Sequence, residues 1–305
     1  MKARVPPELG GRRTDLVLAR LADVSRAVAR SMVDAGDVLV DGGAASARSR
    51  IPAGASVEWE PPPPPPRLEP EPIEFGIVHE DEWLAVVDKP TGLVVHPGAG
   101  RSTGTLAAGL LHRWPGVEGV GDEGRWGIVH RLDRDTSGLM VVALAAEAYG
   151  PLKKAVAAHV IDRRYLALVH GRPSSPAGTI EAPLARDPGR PTRRRIDPRG
   201  RPAISHFEVI AAWPERTLLE VVLESGRTHQ IRVHLSSIGL PVVGDGAYGR
   251  VGGAPRVFLH SHRLGFDHPV TAERVEAASS LPEDLMESIG ALGVPETGAV
   301  PGGGH

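Results

Sequence analysis

Six consecutive prolines occupy residues 61–66, and they decide how the rest of the chain can be organised. Proline has no backbone N–H and a fixed φ, so neither a helix interior nor an inner sheet strand can run through such a stretch. The run favours an extended polyproline II spacer that rises ~3.1 Å per residue. Pro70 and Pro72 extend its reach. Two separately folded parts are therefore expected, at residues 12–60 and 73–292. A proline-rich linker at 61–72 joins them, and a disordered tail is expected at 293–305. A proline run can also be a ligand for an SH3-like partner, but between two foldable segments a linker is the simpler reading.

Composition narrows the class. The chain is 41% hydrophobic over 305 residues, enough for a sizeable core in the larger part. No apolar run nears the ~20 residues of a membrane span. The opening MKARVPPELGGRRTD lacks the apolar centre of a signal peptide, so a cytoplasmic location without membrane association is expected. There is no cysteine, which excludes disulfides and thiolate-held metals. A net charge of −2 argues against a general nucleic-acid binder, yet the charge is uneven. Residues 186–201 hold Arg186, Arg190, Arg193, Arg194, Arg195, Arg199 and Arg201 against only Asp187 and Asp197. Arginine forks onto phosphates and stacks on bases as lysine cannot.

In the smaller part, Thr14 can cap a first helix and Ser25 a second that ends at Gly36. Leu16, Val17, Leu21, Val28, Met32 and Val33 would supply their apolar faces. A strand at residues 38–40 and a turn at Asp41-Gly42 follow. In the larger part, strands are expected at 83–87, 93–95, 139–142, 164–170, 204–210, 217–223 and 257–264. Helices are expected at 105–114, 146–160 and 282–292, with a further one after the turn in ESGRTHQIRVHL. The helix at 146–160 would bury Tyr149, Leu152, Val156 and Val160 on one face. Residues 186–201 read as a loop or irregular hairpin. Strands in meanders and across helices predict an α+β fold with a mainly antiparallel, mixed sheet.

Residues 127–143, GIVHRLDRDTSGLMVVA, carry the densest chemistry. An apolar lead-in meets His130, Arg131, Asp133, Arg134 and Asp135, then a turn at Thr136, Ser137 and Gly138, then a strand. A hairpin tip is usually built from Gly, Pro, Asn or Asp, whereas this one alternates carboxylates with guanidiniums. A carboxylate can attack carbon or remove a proton if it is ionised, and a nearby arginine keeps it so. Two further segments bear candidates: Tyr165 in RRYLALVHG, and Arg227, His229, Gln230 and Arg232 in GRTHQIR. Chemistry alone leaves Asp133 and Asp135 even.

HRLDRDTSGL resembles the catalytic motif of the RluA/RluD family of RNA pseudouridine synthases. DKPTGLVVHPG, with Lys89, Pro90, Gly92 and His96, resembles the family's first motif, and Gly244-Asp245 with Tyr248-Gly249 a later one. The resemblance implies a synthase domain with a central cleft that isomerises uridine to pseudouridine in structured or looped RNA, without cofactor or metal. It assigns the catalytic role to Asp133, attacking either the base or the sugar of a flipped-out uridine. It puts the family tyrosine on Tyr165 and the arginine paired with the aspartate on Arg232, with Arg227 the less favoured candidate. Arg131 matches the arginine that moves on RNA binding. Residues 12–60 resemble an S4-type RNA-binding domain, with Arg12, Arg13, Arg26 and Arg30 as phosphate contacts. Arg193, Arg194 and Arg195, with His96 and Arg227, complete the expected RNA surface. Large-subunit ribosomal RNA, a pre-ribosomal large subunit as the assembly and a monomeric state are what the resemblance suggests.

Two rival readings fit parts of the sequence. Thirteen histidines invite a metal hydrolase, but they are scattered, there is no HExxH, and His260-x-His262 has no clear carboxylate partner. A non-catalytic RNA binder in ribosome assembly would be served by the basic segments alone, but has no chemical need for Asp133, Tyr165 and Arg232.

Overall fold

The structure is a computed structural model, and it describes residues 1–24, 26–61, 68–98 and 103–301. Ser25 and most of the proline run therefore lie outside the described residues. The chain divides into two compact units, Met1–Arg67 and Leu68–His305.

The first unit contains β1 (Lys2–Arg4), β2 (Arg12–Arg13), α1 (Thr14–Leu21), α2 (Arg26–Ala35), β3 (Val38–Val40), β4 (Gly43–Ala44), β5 (Arg50–Ile51) and β6 (Ser56–Trp59). Val17, Leu18, Met32 and Val33 from the two helices bury against Val38, Ile51 and Val57 from the strands. Asp41 and Gly42 both have positive φ and join β3 to β4 as a tight hairpin turn. Three expectations need correction. The unit does not start at residue 12, because β1 pairs with β6 as an edge strand. Three polar or small residues give no periodic signal, and backbone pairing alone holds them. Thr14 does not cap α1 but lies in its first turn and donates to the Ser49 carbonyl at 3.1 Å. Val28 is 38% exposed rather than in the core.

The second unit contains β7 (Gly76–Glu80), β8 (Leu84–Lys89), α3 (Leu106–Arg113), β9 (Ser137–Ala143), α4 (Ala146–Ala157), β10 (Asp162–His170), β11 (Ala177–Glu181), β12 (Leu184–Arg186) and β13 (Arg194–Ile196). It continues with β14 (Ile204–Trp213), β15 (Arg216–Leu223), α5 (Gln230–Ser237), β16 (Leu259–Asp267), β17 (Arg274–Ala278), α6 (Glu283–Gly290) and β18 (Thr297–Gly298). Its ten-stranded sheet runs β11-β14-β15-β10-β16-β9-β8-β7, with β17 on β16 and β18 on β14. Every pairing in it is antiparallel except β16 with β9. This is the mainly antiparallel, mixed α+β sheet that the pattern predicts.

The central strands read as unbroken apolar runs because both of their faces are covered. Ala85, Val87, Met140 and Val142 enter one core with Leu106 and Leu110 of α3. Leu84, Val86, Leu139 and Val141 enter the other with Tyr149 and Leu152 of α4. The alternation is the period-two geometry of a strand.

Four details differ from the sequence reading. β8 runs on through Lys89, whose side chain is wholly buried. Residues 93–95 form no strand and contribute one bridge, Val94 to Thr105. Helix α4 stops at Ala157, so Val160 lies beyond its end and is 64% exposed. The expected disordered tail is ordered at its start. Thr297 and Gly298 pair with Ala212 and Ala211, and the Trp213 indole donates to the Gly293 carbonyl at 2.9 Å. No helix among the described residues is long and apolar enough to cross a membrane.

Candidate active site

The loop before β9 is fastened from several sides. Gly138, with φ of 111°, lies so close to β16 that a Cβ there would sit 2.2 Å from the Ser261 carbonyl oxygen. Only glycine fits, and the parallel register Ser261 to Gly138 follows. Further back, the Lys89 ammonium donates to three backbone carbonyls: Pro90 at 2.9 Å, Leu93 at 2.9 Å and Arg134 at 3.1 Å. Three donors meet three acceptors, so the buried charge is fully hydrogen-bonded. Burial pulls the Lys89 pKa down to about 8, against the charges of Asp133 and Asp135. It is still protonated at neutral pH. The Arg134 carbonyl also accepts from Gly92 N–H at 2.9 Å. The His130 ring accepts from Val141 N–H at 3.1 Å, and Leu132 is buried in the core.

Held in this way, the loop presents the Asp133 side chain to the cleft, 18% exposed. Asp135 is turned elsewhere, and its carboxylate pairs with its neighbour Arg134 at 2.8 Å.

Helix α5 supplies the partner. Its first turn carries Arg232, whose Nη1 lies 3.5 Å from Asp133 Oδ2. The stronger attachment of Arg232 is to Asp245. Nε donates to Oδ2 at 2.7 Å and Nη2 to Oδ1 at 2.8 Å. Asp245 is wholly buried and also accepts from the N–H groups of Ala247 and Tyr248 at 2.9 and 3.1 Å. Burial works against both charges. The arginine outweighs it on Asp245, whose pKa is lowered, and the carboxylates outweigh it on Arg232, whose pKa is raised. The expected direct pairing of Arg232 with Asp133 is thus corrected to a shared one, in which Asp245 fixes the guanidinium and one N–H edge is left for Asp133.

His229 precedes α5 in a left-handed conformation, φ 58°. Its Nδ1 lies 2.7 Å from the Tyr248 hydroxyl, which accepts from the Arg194 backbone N–H at 2.7 Å. The ring is thus held through Nδ1, and its Nε2 lies 3.9 Å from Asp133 Oδ2. Burial lowers the His229 pKa despite Asp133 nearby, so the neutral ring is the resting form. Arg232 also lies over the Tyr248 ring, 5.1 Å from its centroid.

Tyr165 enters from β10. On β16, Ser261 pairs with Gly138 on one side and Tyr165 on the other. One strand thus separates the aspartate loop from the tyrosine, and the span across it is roughly 10 Å at ~4.8 Å per strand. Tyr165 is 5% exposed. Burial raises its phenol pKa, and the Arg163 charge and the Ser261 hydroxyl pull it back only in part. Asp133, Tyr165 and Arg232 all line one cleft of ≈ 630 Å³.

A family model described as RNA pseudouridylate synthase matches residues 83–237. The chain is 39% identical to ribosomal large subunit pseudouridine synthase D of Xanthomonas campestris pv. campestris, over 95% of this chain and 92% of that one. It is 41% identical to the protein of the same name from Pseudomonas aeruginosa, over 93% of both. Among solved structures, human RNA pseudouridylate synthase domain containing 1 superposes with a TM-score of 0.58 at 29% identity, covering 77% of this chain and 93% of that one. This chain belongs to the RNA pseudouridylate synthase family.

As a member of that family it is an isomerase, and the reading of a binder without catalysis finds no support in these relatives. The synthase cleft also gathers His96, Arg131 and Arg227. Arg131 is exposed at its mouth. His96 is half-buried beside Trp126, and burial with the charges of Arg125 and Arg131 lowers its pKa to about 4. Arg227 donates to the Pro202 carbonyl at 3.2 Å.

The arginine-rich segment is a hairpin in which Arg186 pairs with Arg194. Arg193 is half-buried, and Arg195 pairs with Asp197 at 2.6 Å. In the first unit, Arg13 and Arg26 both engage the buried Asp15, at 2.8 and 3.2 Å, and Arg30 pairs with Asp34 at 3.3 Å. Arg12 is exposed.

Sequence reasoning missed three supports of the synthase site. Lys89 and Asp245 were visible only as motif members. Gln230 stood among the candidates, yet its amide is wholly engaged in holding the turn. It accepts from Ser225 and Arg227 at 2.8 and 3.0 Å and donates to Ile204 and Ser205 at 2.9 and 3.0 Å.

Proposed function

We propose that this synthase isomerises specific uridines in large-subunit ribosomal RNA, with Asp133 as the nucleophile. The observation that carries the reading is the Asp133 carboxylate, partly exposed to the cleft and facing an Arg232 already anchored by Asp245. In the reaction the bond from uracil N1 to the ribose breaks, the base turns, and C5 takes the ribose. C5 gives up its proton and N1 gains one. Asp133 attacks the base or the sugar to begin this. Arg232, its charge already balanced by Asp245, keeps one N–H edge turned toward Asp133 as the charge on that carboxylate changes during the reaction. Tyr165, held in the phenol form by burial, is the wall against which the base stacks. The uridine must leave the RNA stack to reach this depth, at a cost of a few kcal/mol, and Arg131 at the mouth is the side chain proposed to take its place.

The hairpin bearing Arg193, Arg194 and Arg195, the cleft rim at His96 and Arg227, and the first unit with Arg12, Arg13, Arg26 and Arg30 are proposed to hold surrounding RNA. The first unit is read as an S4-like module. The names of the relatives support the substrate class. The enzyme is proposed to act as a cytoplasmic monomer on the pre-ribosomal large subunit, with no cofactor.

Mapping pseudouridine in all cellular RNA, with and without the gene, tests this. Specific large-subunit positions are expected to lose the mark, with wild type restoring it and Asp133→Asn failing to. Restoration by Asp133→Asn would overturn the nucleophile, and loss at other RNAs alone would overturn the substrate.

A further inference from the structure

Two adjacent arginines on β10 have opposite surroundings. Arg164 faces outward and is held by two carboxylates, Asp162 at 3.0 Å and Glu220 at 2.8 Å. Arg163 faces inward and is 3% exposed. Among the described residues its side chain makes no hydrogen bond and no ion pair, and its Nε is buried without a partner. A guanidinium has five donors and does not lose its proton in proteins. A buried charge is normally paired.

Arg163 lines the same cleft as Asp133 and Tyr165. Its charge acts on the Tyr165 phenol and on the His130 ring, which is neutral. The cleft carboxylates Asp133 and Asp122 face other cations, Arg232 and Lys153, and on the sheet Asp162 and Glu220 are held by Arg164. The Gly226 backbone packs close against the guanidinium without offering it a hydrogen-bond partner. A Cβ there would lie 2.9 Å from Arg163 Nη1. Lys153, His159, Arg201 and Arg227 line the same cleft.

We infer that Arg163 is an anion site in the floor of the cleft, built to take a phosphate oxygen of the RNA strand beside the target uridine. The inference rests on the proposed RNA-modifying function of this cleft. A phosphate fits better than a base carbonyl because only a full negative charge balances the buried cation. The ion pair missing in the free enzyme is supplied by the substrate.

The test uses full-length Arg163→Met, Arg163→Lys and Arg164→Met, with a large-subunit ribosomal RNA transcript that wild type modifies. Arg163→Met is expected to keep or raise Tm, since it removes a buried charge and breaks no contact. Its RNA affinity is expected to fall about tenfold at low salt. The slope of log K against log salt is expected to shrink by about 0.7–0.9, one phosphate's worth. Arg163→Lys is expected to keep the wild-type slope, and Arg164→Met to change Tm but not slope. An unchanged slope in Arg163→Met overturns the inference, whether Tm falls, as for a structural arginine, or affinity falls, as for a base contact. If wild type modifies no transcript, the proposed function fails instead, which the same assay reads separately.

Discussion

Arg232 and Asp245 are joined by two parallel hydrogen bonds of 2.7 and 2.8 Å, while Asp133 stands 3.5 Å from the same guanidinium. The arginine is therefore positioned by Asp245, behind the carboxylate proposed to react. Breaking a buried pair leaves an uncompensated charge and costs roughly 3–5 kcal/mol. Asp245→Asn is expected to lower stability by that order and activity with it. Asp133→Asn loses a partly exposed, longer contact, expected to matter by about 0–1 kcal/mol, while pseudouridine formation falls roughly a thousandfold or more. Urea titration beside an activity assay separates the two. Equal stability of the two variants would refute this division of roles.

Lys89 ties the aspartate loop to the end of β8 through three carbonyls. Lys89→Met keeps the volume and removes the donors. The Arg134 carbonyl keeps Gly92 N–H, but those of Pro90 and Leu93 lose this donor; a carbonyl left without a partner costs about 1–3 kcal/mol, so the variant is expected to unfold at markedly lower temperature. It is also expected to have lower kcat where it is still folded. A variant with wild-type Tm and kcat would show that the loop holds itself.

Acid should destabilise this protein before its carboxylates titrate. Burial lowers the pKa of His130 to about 3 and of the wholly buried His260 to about 4. In the unfolded chain both bind protons near pH 6.5. Below that, the unfolded state holds more protons, so stability falls as pH drops from 6.5 toward about 4. Each such histidine contributes up to about 1.4 kcal/mol per pH unit. Urea midpoints at pH 7.5, 6 and 5 should decline steadily. A flat series would mean that these rings are hydrated.

Tyr248→Phe removes the hydroxyl between Arg194 N–H and His229 Nδ1. His229 then loses its Nδ1 partner. A roughly five- to tenfold fall in kcat is expected, about one hydrogen bond's worth, with a changed acid limb in the pH profile. If kcat and the pH profile stay as in wild type, His229 does not need the phenol.

Much of this was legible in the chain. Asp133, Tyr165 and Arg232 are singled out by the motif resemblance, since residue types alone leave Asp133 and Asp135 even, and the fold brings all three to one cleft; the central strands announce themselves by unbroken apolar runs. What stayed hidden was direction. Nothing in DKP says that the Lys89 ammonium turns back onto carbonyls. Asp245 follows a glycine in what reads only as a turn, so its grip on Arg232, made 13 residues away along the chain, has no periodic trace. Arg163 and Arg164 are identical letters, and only the pleat of β10 sends one into the cleft and the other toward two carboxylates. The edge strand β1 and the ordered start of the tail are held by backbone ladders, which no side-chain pattern records.

The close approach of Gly138 to Ser261 has a consequence for how this scaffold tolerates change. Asp133, the proposed nucleophile, and Tyr165 hang from strands on either side of β16, so their separation is measured in peptide hydrogen bonds. The oily layers above and below the sheet can exchange one aliphatic residue for another without altering that measure. A sheet of this kind lets its filling drift while the distance between its working parts stays constant.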